Sequence, residues 1–386
     1  MTKNIYEPDE LYRLSRTGGE NLLVGTNFRL HRQIFRSRWT DFLIQEDQSI
    51  TENRIFNYLI LEPIDQPPLK KKGALIIFHG LNEGSYGQIL PWASSFIRQI
   101  NLPVILFPLS FHVGRRSSLW NSKNQRRTAY QRFRIPGNNK VSLFNSRISE
   151  RLSESPERYY LGGLQSYLDA LDLVTQIHTG NHPLYEVGSK VHFLGYSAGG
   201  YMALILLLSQ LNGFFSNSRA ILFSSGAPLD GINPESIFIM DSLAARNLHA
   251  YLRNKSFLTN SFDAEQWKLF EKPTHWLEQI LFKGNELENR MKLIHDRVLL
   301  VVNPKDRVIS AAQSILNLAP AKTLHLDLGV HEFPFKTAEP LPDVYDRKKT
   351  ETRVMLENIR NIHHIAPDYR AVFDKFIHKV SNFIVT

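Results

Sequence analysis

The chain has 386 residues, 42% of them apolar and 22% charged, an ordinary globular balance that excludes a disordered or fibrous protein. Cysteine is absent, so disulfides, cysteine-ligated zinc and a thiol nucleophile are excluded together. The formal net charge is +9 and its source is local: from Gly84 to Ser149 there are ten Lys or Arg and no Asp or Glu, which leaves the remainder about neutral. The longest uninterrupted apolar run, Tyr201–Leu208, is far short of the ~20 residues a membrane span needs. No secretory apolar stretch stands near the N-terminus, so the expectation is a cytoplasmic chain with no membrane span.

Residues 1–50 read as polar and irregular, and 54–62 as a strand of an antiparallel opening. From residue 73 onward short, apolar, β-branched runs alternate with helical stretches, the pattern of parallel strands covered on both faces. Six such strands are expected, at 74–78, 104–107, 191–194, 220–223, 298–302 and 323–328. The last alternates Leu324, Leu326 and Leu328 with His325 and Asp327, as suits a sheet edge with one wetter face. Leu161, Leu164, Leu168, Leu171 and Val174 mark the sheet-packing face of a helix. A final amphipathic helix is written by Tyr369, Val372, Phe373, Phe376, Ile377, Val380, Phe383 and Ile384. The order implies an α/β chain with a doubly wound, mostly parallel sheet.

One junction carries chemistry. The stretch VHFLGYSAGGYMALILLLS runs from an apolar strand through Gly195, Tyr196, Ser197, Ala198 and Gly199 into an apolar helix. A serine hydroxyl becomes a nucleophile when a tight turn holds it clear of its own backbone, and glycine is needed two residues to either side because strand and helix approach too closely there for a β-carbon.

On these residues the chain resembles the α/β-hydrolase superfamily, over about residues 54–386. The resemblance implies a Ser-Asp-His triad, and candidates fall in the family's order of nucleophile, acid and histidine. Ser197 is the nucleophile. Asp306, in VLLVVNPKDRVIS, follows a predicted strand and is the acid, with Asp230 in GAPLDG as the substitute and helix capping as its rival role. His331, in LHLDLGVHEFPF, is the base. The segment Phe78–Gly84, FHGLNEG, resembles the loop that supplies an oxyanion-hole amide, so the amides of Leu81 and Ala198 are the implied donors. The implied activity is serine esterase chemistry on a small-molecule ester or acyl substrate, with thioester and amide bonds open to the same machinery. No cofactor or metal is implied. The alternative is a catalytically silent relative that binds a small ligand in the same pocket, and the intact triad residues argue against it.

Further features modify this expectation. His79 is expected to shape its loop, His112 to be a candidate for facing the site, and His363 and His364 to be ordinary, since no metal-ligand spacing accompanies them. The basic insertion at about 112–150 has two readings. It is either a flap that offers guanidinium groups with Trp120, Tyr130 and Phe133 to an anionic substrate, or a solvated surface segment. Nothing in it resembles a nucleic-acid module. The interval from Ser197 to Asp306 is longer than two helices and two strands require, so residues 228–292 are read as a helical cap between core segments 1–227 and 293–386. Its apolar residues, among them Trp267, Phe270, Trp276, Leu277, Ile280 and Leu281, either line an acyl pocket or pack the cap onto the core. The oligomeric state is left open.

Overall fold

The computed structural model describes residues 21–22, 28–63, 70–86, 89–120, 122–210, 213–260, 262–329 and 370–386. His331, His363, His364 and Tyr369 lie outside the described residues.

Among the described residues nine strands form one sheet: β1 (Asn21–Leu22), β2 (Phe28–Arg36), β3 (Ile55–Pro63), β4 (Lys71–Phe78), β5 (Val104–Leu106), β6 (Tyr185–Tyr196), β7 (Ala220–Phe223), β8 (Val298–Val302) and β9 (Lys322–His325). Their spatial order is β1-β2-β3-β5-β4-β6-β7-β8-β9. The pairs from β1 to β5 along that order are antiparallel, and every pair from β5 through β4 to β9 is parallel. The six expected parallel strands are therefore β4 to β9, except that β9 ends at His325 and not at 328, so Leu326 and Leu328 are buried in the loop beyond it. Among the described residues β9 stands at the edge of the sheet.

One expectation needs correction. The first fifty residues are not irregular throughout, because β2 pairs with β3 along its whole length, from Phe28 opposite Pro63 to Arg36 opposite Ile55. Its sequence FRLHRQIFR hides the strand behind cations, yet Phe28, Leu30 and Phe35 are buried and His31 reaches Glu62 of β3 at 2.6 Å.

Both faces of the sheet are covered. On one, the helices Leu90–Ile100 and Arg370–Val385 pack together, with Trp92 stacked on Phe223 at 5.5 Å and set against Phe376 at 5.5 Å. On the other, Glu157–His178 lies beside the helix Ala198–Ser209, both against β6. Every residue from Gly199 to Ser209 is buried, so this second helix is a core element and not an amphipathic one. The sheet is thus doubly wound.

Two helical segments leave this core. Between β5 and β6 stand Ser122–Phe133 and Ser146–Glu154, and between β7 and β8 stand Ser242–Arg253, Ala264–Leu281 and Asn285–Ile294. The helix Ala264–Leu281 packs on Ala198–Ser209, and Ser242–Arg253 packs on Ser146–Glu154. A buried ion pair joins the two segments: Arg132 Nη2 donates to Asp241 Oδ1 at 2.7 Å, Asn138 Nδ2 donates to Asp241 Oδ2 at 3.1 Å, and Asp241 Oδ1 also caps its helix by accepting from the Ala244 amide at 3.0 Å.

Candidate active site

The loops that matter leave one edge of the sheet. Phe78 pairs with Gly195, Tyr196 with Phe223, Phe223 with Val301 and Val302 with His325, so the C-terminal ends of β4, β6, β7, β8 and β9 stand side by side. Ligand sites of open parallel sheets form at that edge.

Ser197 sits between β6 and its following helix with φ 52° and ψ −118°, a conformation a non-glycine residue rarely takes. Its N–H donates to the Phe223 carbonyl at 2.9 Å and its carbonyl accepts from the Gly200 N–H at 2.9 Å, so the turn is fixed from both sides. The flanking glycines answer to sterics: a Cβ on Gly195 would overlap the Gly199 carbonyl, and one on Gly199 would overlap the carbonyls of Phe78 and His79. The serine is half-buried and lines a crevice with Gly80, Leu81, Tyr196, Ser224, Asp306 and Ile309, among others.

Asp306 lies in the loop after β8. Its Oδ1 accepts from the amides of Val308 at 2.8 Å and Ile309 at 3.0 Å, and the Ser224 side chain also bonds the carboxylate. Burial raises its pKa against those bonds. The rival role is removed, because the following helix Ala311–Asn317 is capped by Ser310, which accepts from the Gln313 amide. The substitute acid fares worse: Asp230 is exposed and pairs with Arg253 at 2.8 Å.

The loop after β9 leads toward His331, and its last described residue, Gly329, is held in place. Asn303 Nδ2 donates to the Gly329 carbonyl at 2.9 Å, and Asn303 Oδ1 accepts from Lys305 at 3.2 Å and Leu328 at 3.4 Å. Three residues before Asp306, Asn303 thus binds the acid loop to the segment that ends two residues before His331. Sequence reasoning missed it, although a polar amide closing an all-apolar strand was a visible signal.

The loop after β4 comes close to the serine, since a Cβ on Gly80 would stand 3.5 Å from that of Ser197. His79 is buried and fully occupied, Nδ1 donating to the Gly80 carbonyl at 2.8 Å and Nε2 accepting from the Leu109 amide at 3.0 Å. Burial depresses its pKa to about 4, so it is a neutral shaper of the loop. Asn82, at φ 63°, donates to the carbonyls of Phe144 at 2.9 Å and Phe238 at 2.7 Å, one from each helical segment. It is a second positioning residue missed at the sequence level, despite the affinity of Asn for left-handed turns.

Two cavities open beside this crevice. The first, under the segment between β7 and β8, is lined by Ser197 together with Ile239, Met240, Leu248, Leu277 and Leu281, while Phe270, Trp276 and Ile280 are buried elsewhere in the packing. Of these apolar residues Leu277 and Leu281 line the cavity, whereas Phe270, Trp276 and Ile280 do not line it. His249 also lines this cavity. Its Nε2 has no partner among the described residues and burial lowers its pKa, and no sequence signal singled it out. The second cavity is lined by Arg116, Arg147, Arg151, Arg158, His112, Phe111 and Trp120 among others. His112 donates from Nδ1 to the Ser110 carbonyl at 2.7 Å, and burial holds its pKa well below the usual range.

The basic insertion is neither wholly flap nor wholly surface. Arg115 is fully buried, donating to Asp169 Oδ2 at 2.7 Å, Asn53 Oδ1 at 3.0 Å and the Pro108 carbonyl at 3.2 Å, so it has no substrate to meet. Arg132 is spent on Asp241, whereas Arg116, Arg147 and Arg151 reach the second cavity. Tyr130 and Phe133 are exposed. Among the described residues no cluster of three His, Asp or Glu could hold a metal ion, and no helix is long and apolar enough to cross a membrane.

A mostly parallel sheet in this strand order, carrying a glycine-flanked serine on a positive-φ turn between strand and helix, is the α/β-hydrolase fold. The chain belongs to the family described as a family of unknown function (DUF6051), whose model matches residues 36–363. No curated protein matches the sequence. Solved structures similar to it include carboxyl esterase 2 of the mycorrhizal fungus Tuber melanosporum, at 13% identity over 98% of this chain and 97% of that one, TM-score 0.47. A hyperthermophilic esterase of the archaeon Pyrobaculum calidifontis is 11% identical over 98% of this chain and 91% of that one, TM-score 0.47. A fungal esterase of Rhizomucor miehei is 10% identical over 93% and 85%, TM-score 0.44. With overlap this loose, strand order and the serine turn carry the fold assignment.

Proposed function

We propose that the protein is a serine hydrolase that cleaves a carboxylic ester through an acyl-enzyme on Ser197. The observation that carries this reading is the strained turn that presents Ser197 to a crevice shared with Asp306 and the Gly80–Leu81 loop. In this mechanism the neutral imidazole of His331 takes the Ser197 proton while the hydroxyl oxygen attacks the ester carbonyl carbon. Asp306 orients that imidazole and stabilises its cation. The Asn303 tether, which holds the chain just ahead of His331 beside the Asp306 loop, supports the pairing.

The tetrahedral oxyanion would be met by the amides of Leu81 and Ala198, with the N-terminal end of the Ala198–Ser209 helix adding its positive dipole. Collapse expels the alcohol, which takes the imidazolium proton. A water deprotonated by the same imidazole then releases the acid and restores the serine. The segment 228–292 acts as a cap in this reading, and its apolar cavity next to Ser197 takes the hydrocarbon part of a small ester. The same machinery accommodates a thioester or an amide.

The test is labelling of the intact protein with a fluorophosphonate, followed by peptide mapping. A tag on the Ser197 peptide, absent from Ser197→Ala, is expected, together with loss of p-nitrophenyl ester turnover of about 10⁴-fold or more in that variant. A folded protein that takes no label, or takes it on another serine, refutes the assignment.

A further inference from the structure

We propose that the two cavities beside Ser197 hold opposite ends of one substrate, an apolar end under the β7–β8 segment and an anionic end among the arginines, so that the preferred ester carries a negative charge. The inference rests on the reading of Ser197 as nucleophile. Leu81, Tyr159, Ala198, Tyr201 and Leu277 border both cavities. Leu81 and Ala198, the residues whose amides are assigned to the scissile carbonyl, thus stand on the wall the two cavities share, and a molecule that reached into both would carry its central bond past Ser197.

The two ends differ in charge. Among the described residues, the cavity under the β7–β8 segment has no Lys, Arg, Asp or Glu on its lining, the Asp306 crevice being separate from it. The other has Arg116, Arg147, Arg151 and Arg158 and, among the described residues, no Asp or Glu. Acidic partners hold three of these cations from outside the lining: Asp47 takes Arg151 at 2.8 Å and lies 3.3 Å from Arg158, which Glu154 at 3.6 Å and Glu46 at 3.7 Å also flank, and Glu150 takes Arg147 at 2.6 Å. Arg116 donates to Asn82 Oδ1 at 3.3 Å. A guanidinium has five donors, and these contacts engage only part of each set. Arg147 Nε is buried with no acceptor among the described residues. Arg151 lies over the rings of Phe111 at 4.7 Å and Trp120 at 4.5 Å, so apolar surface surrounds its charge. Fixed cations in an apolar wall are what a carboxylate or phosphate on a mainly hydrophobic molecule requires.

The experiment uses the full chain and substrates in charged and neutral pairs: 4-butyryloxybenzoate with its methyl ester, and 4-nitrophenyl hemiglutarate with 4-nitrophenyl methyl glutarate. The pairs place the anion on the alcohol side and the acyl side respectively, and 4-butyryloxyphenyl phosphate tests phosphate against carboxylate. The charged member of at least one pair is expected to have the higher kcat/KM by about tenfold, a preference that falls several-fold in Arg147→Gln and in Arg116→Gln and shrinks with added salt.

Equal kcat/KM within both pairs, or a preference that neither substitution moves in folded protein, overturns the inference. Calorimetric titration of Ser197→Ala with 4-butyryloxybenzoate reads the same site without turnover. If the hydrolase reading fails, labelling and turnover fail while Arg147-dependent anion binding remains. If only this inference fails, Ser197 still labels and no Arg147-dependent binding is seen.

Discussion

At Ser197 the backbone accepts a conformation that costs on the order of 1–3 kcal/mol, and the surroundings impose it: two backbone hydrogen bonds and contacts that only glycine tolerates at 195 and 199. Because these demands are local and steric, they could be read from five consecutive letters, Gly195 to Gly199. Asp306 was legible in a weaker way, through its order in the chain, and the structure separates it from Asp230 by what each carboxylate faces. At this scale Asp306→Asn, which keeps the side-chain shape and removes the charge, should lower ester kcat by about 10⁴ with little change in the melting temperature. A loss under tenfold would mean that another carboxylate serves. Asn82 and Asn303 were not legible as site residues, since their role is to tie a loop to segments between 26 and 156 positions away.

At the scale of elements, the six parallel strands could be read because burial on both faces writes continuous apolar runs. Strand β2 could not, because its cations break the apolar pattern and its pairing with β3, with His31 on Glu62, lies outside the local sequence. The role of the basic insertion stayed open at the sequence level for a related reason: Asp169 and Asp241, which take Arg115 and Arg132, come from other parts of the chain. The ion pair between the two helical segments gives a direct test. Arg132→Met would leave Asp241 charged and buried without its partner, and denaturant melts should show a loss of about 3–5 kcal/mol. Adding Asp241→Leu should recover much of it. A single variant as stable as the parent would show that the pair does not join the segments.

Across the whole molecule, buried histidines lower stability as pH falls, against the opposing effect of the Asp169 carboxyl, whose pKa burial raises to about 6. His79 and His192 are both buried, and desolvation first, with nearby cations second for His192, depresses each pKa to about 4. Between about pH 6.5 and 4 the unfolded chain binds protons that the folded one refuses. Their contribution is therefore complete above about 6.5 and declines as pH falls, by up to about 1.4 kcal/mol per unit for each group. Denaturant midpoints measured at pH 7.5, 6 and 5 should decrease in that order, and a flat series would remove the histidines from the account.

The grip of Asn82 has a consequence for admission of substrate. Through one amide group the turn beside the serine is bolted to both helical segments, at Phe144 and Phe238. In the proposed hydrolase, parting those segments would strain both bonds and pull the turn with them, so a wide-open site and a poised oxyanion loop are expected to exclude one another.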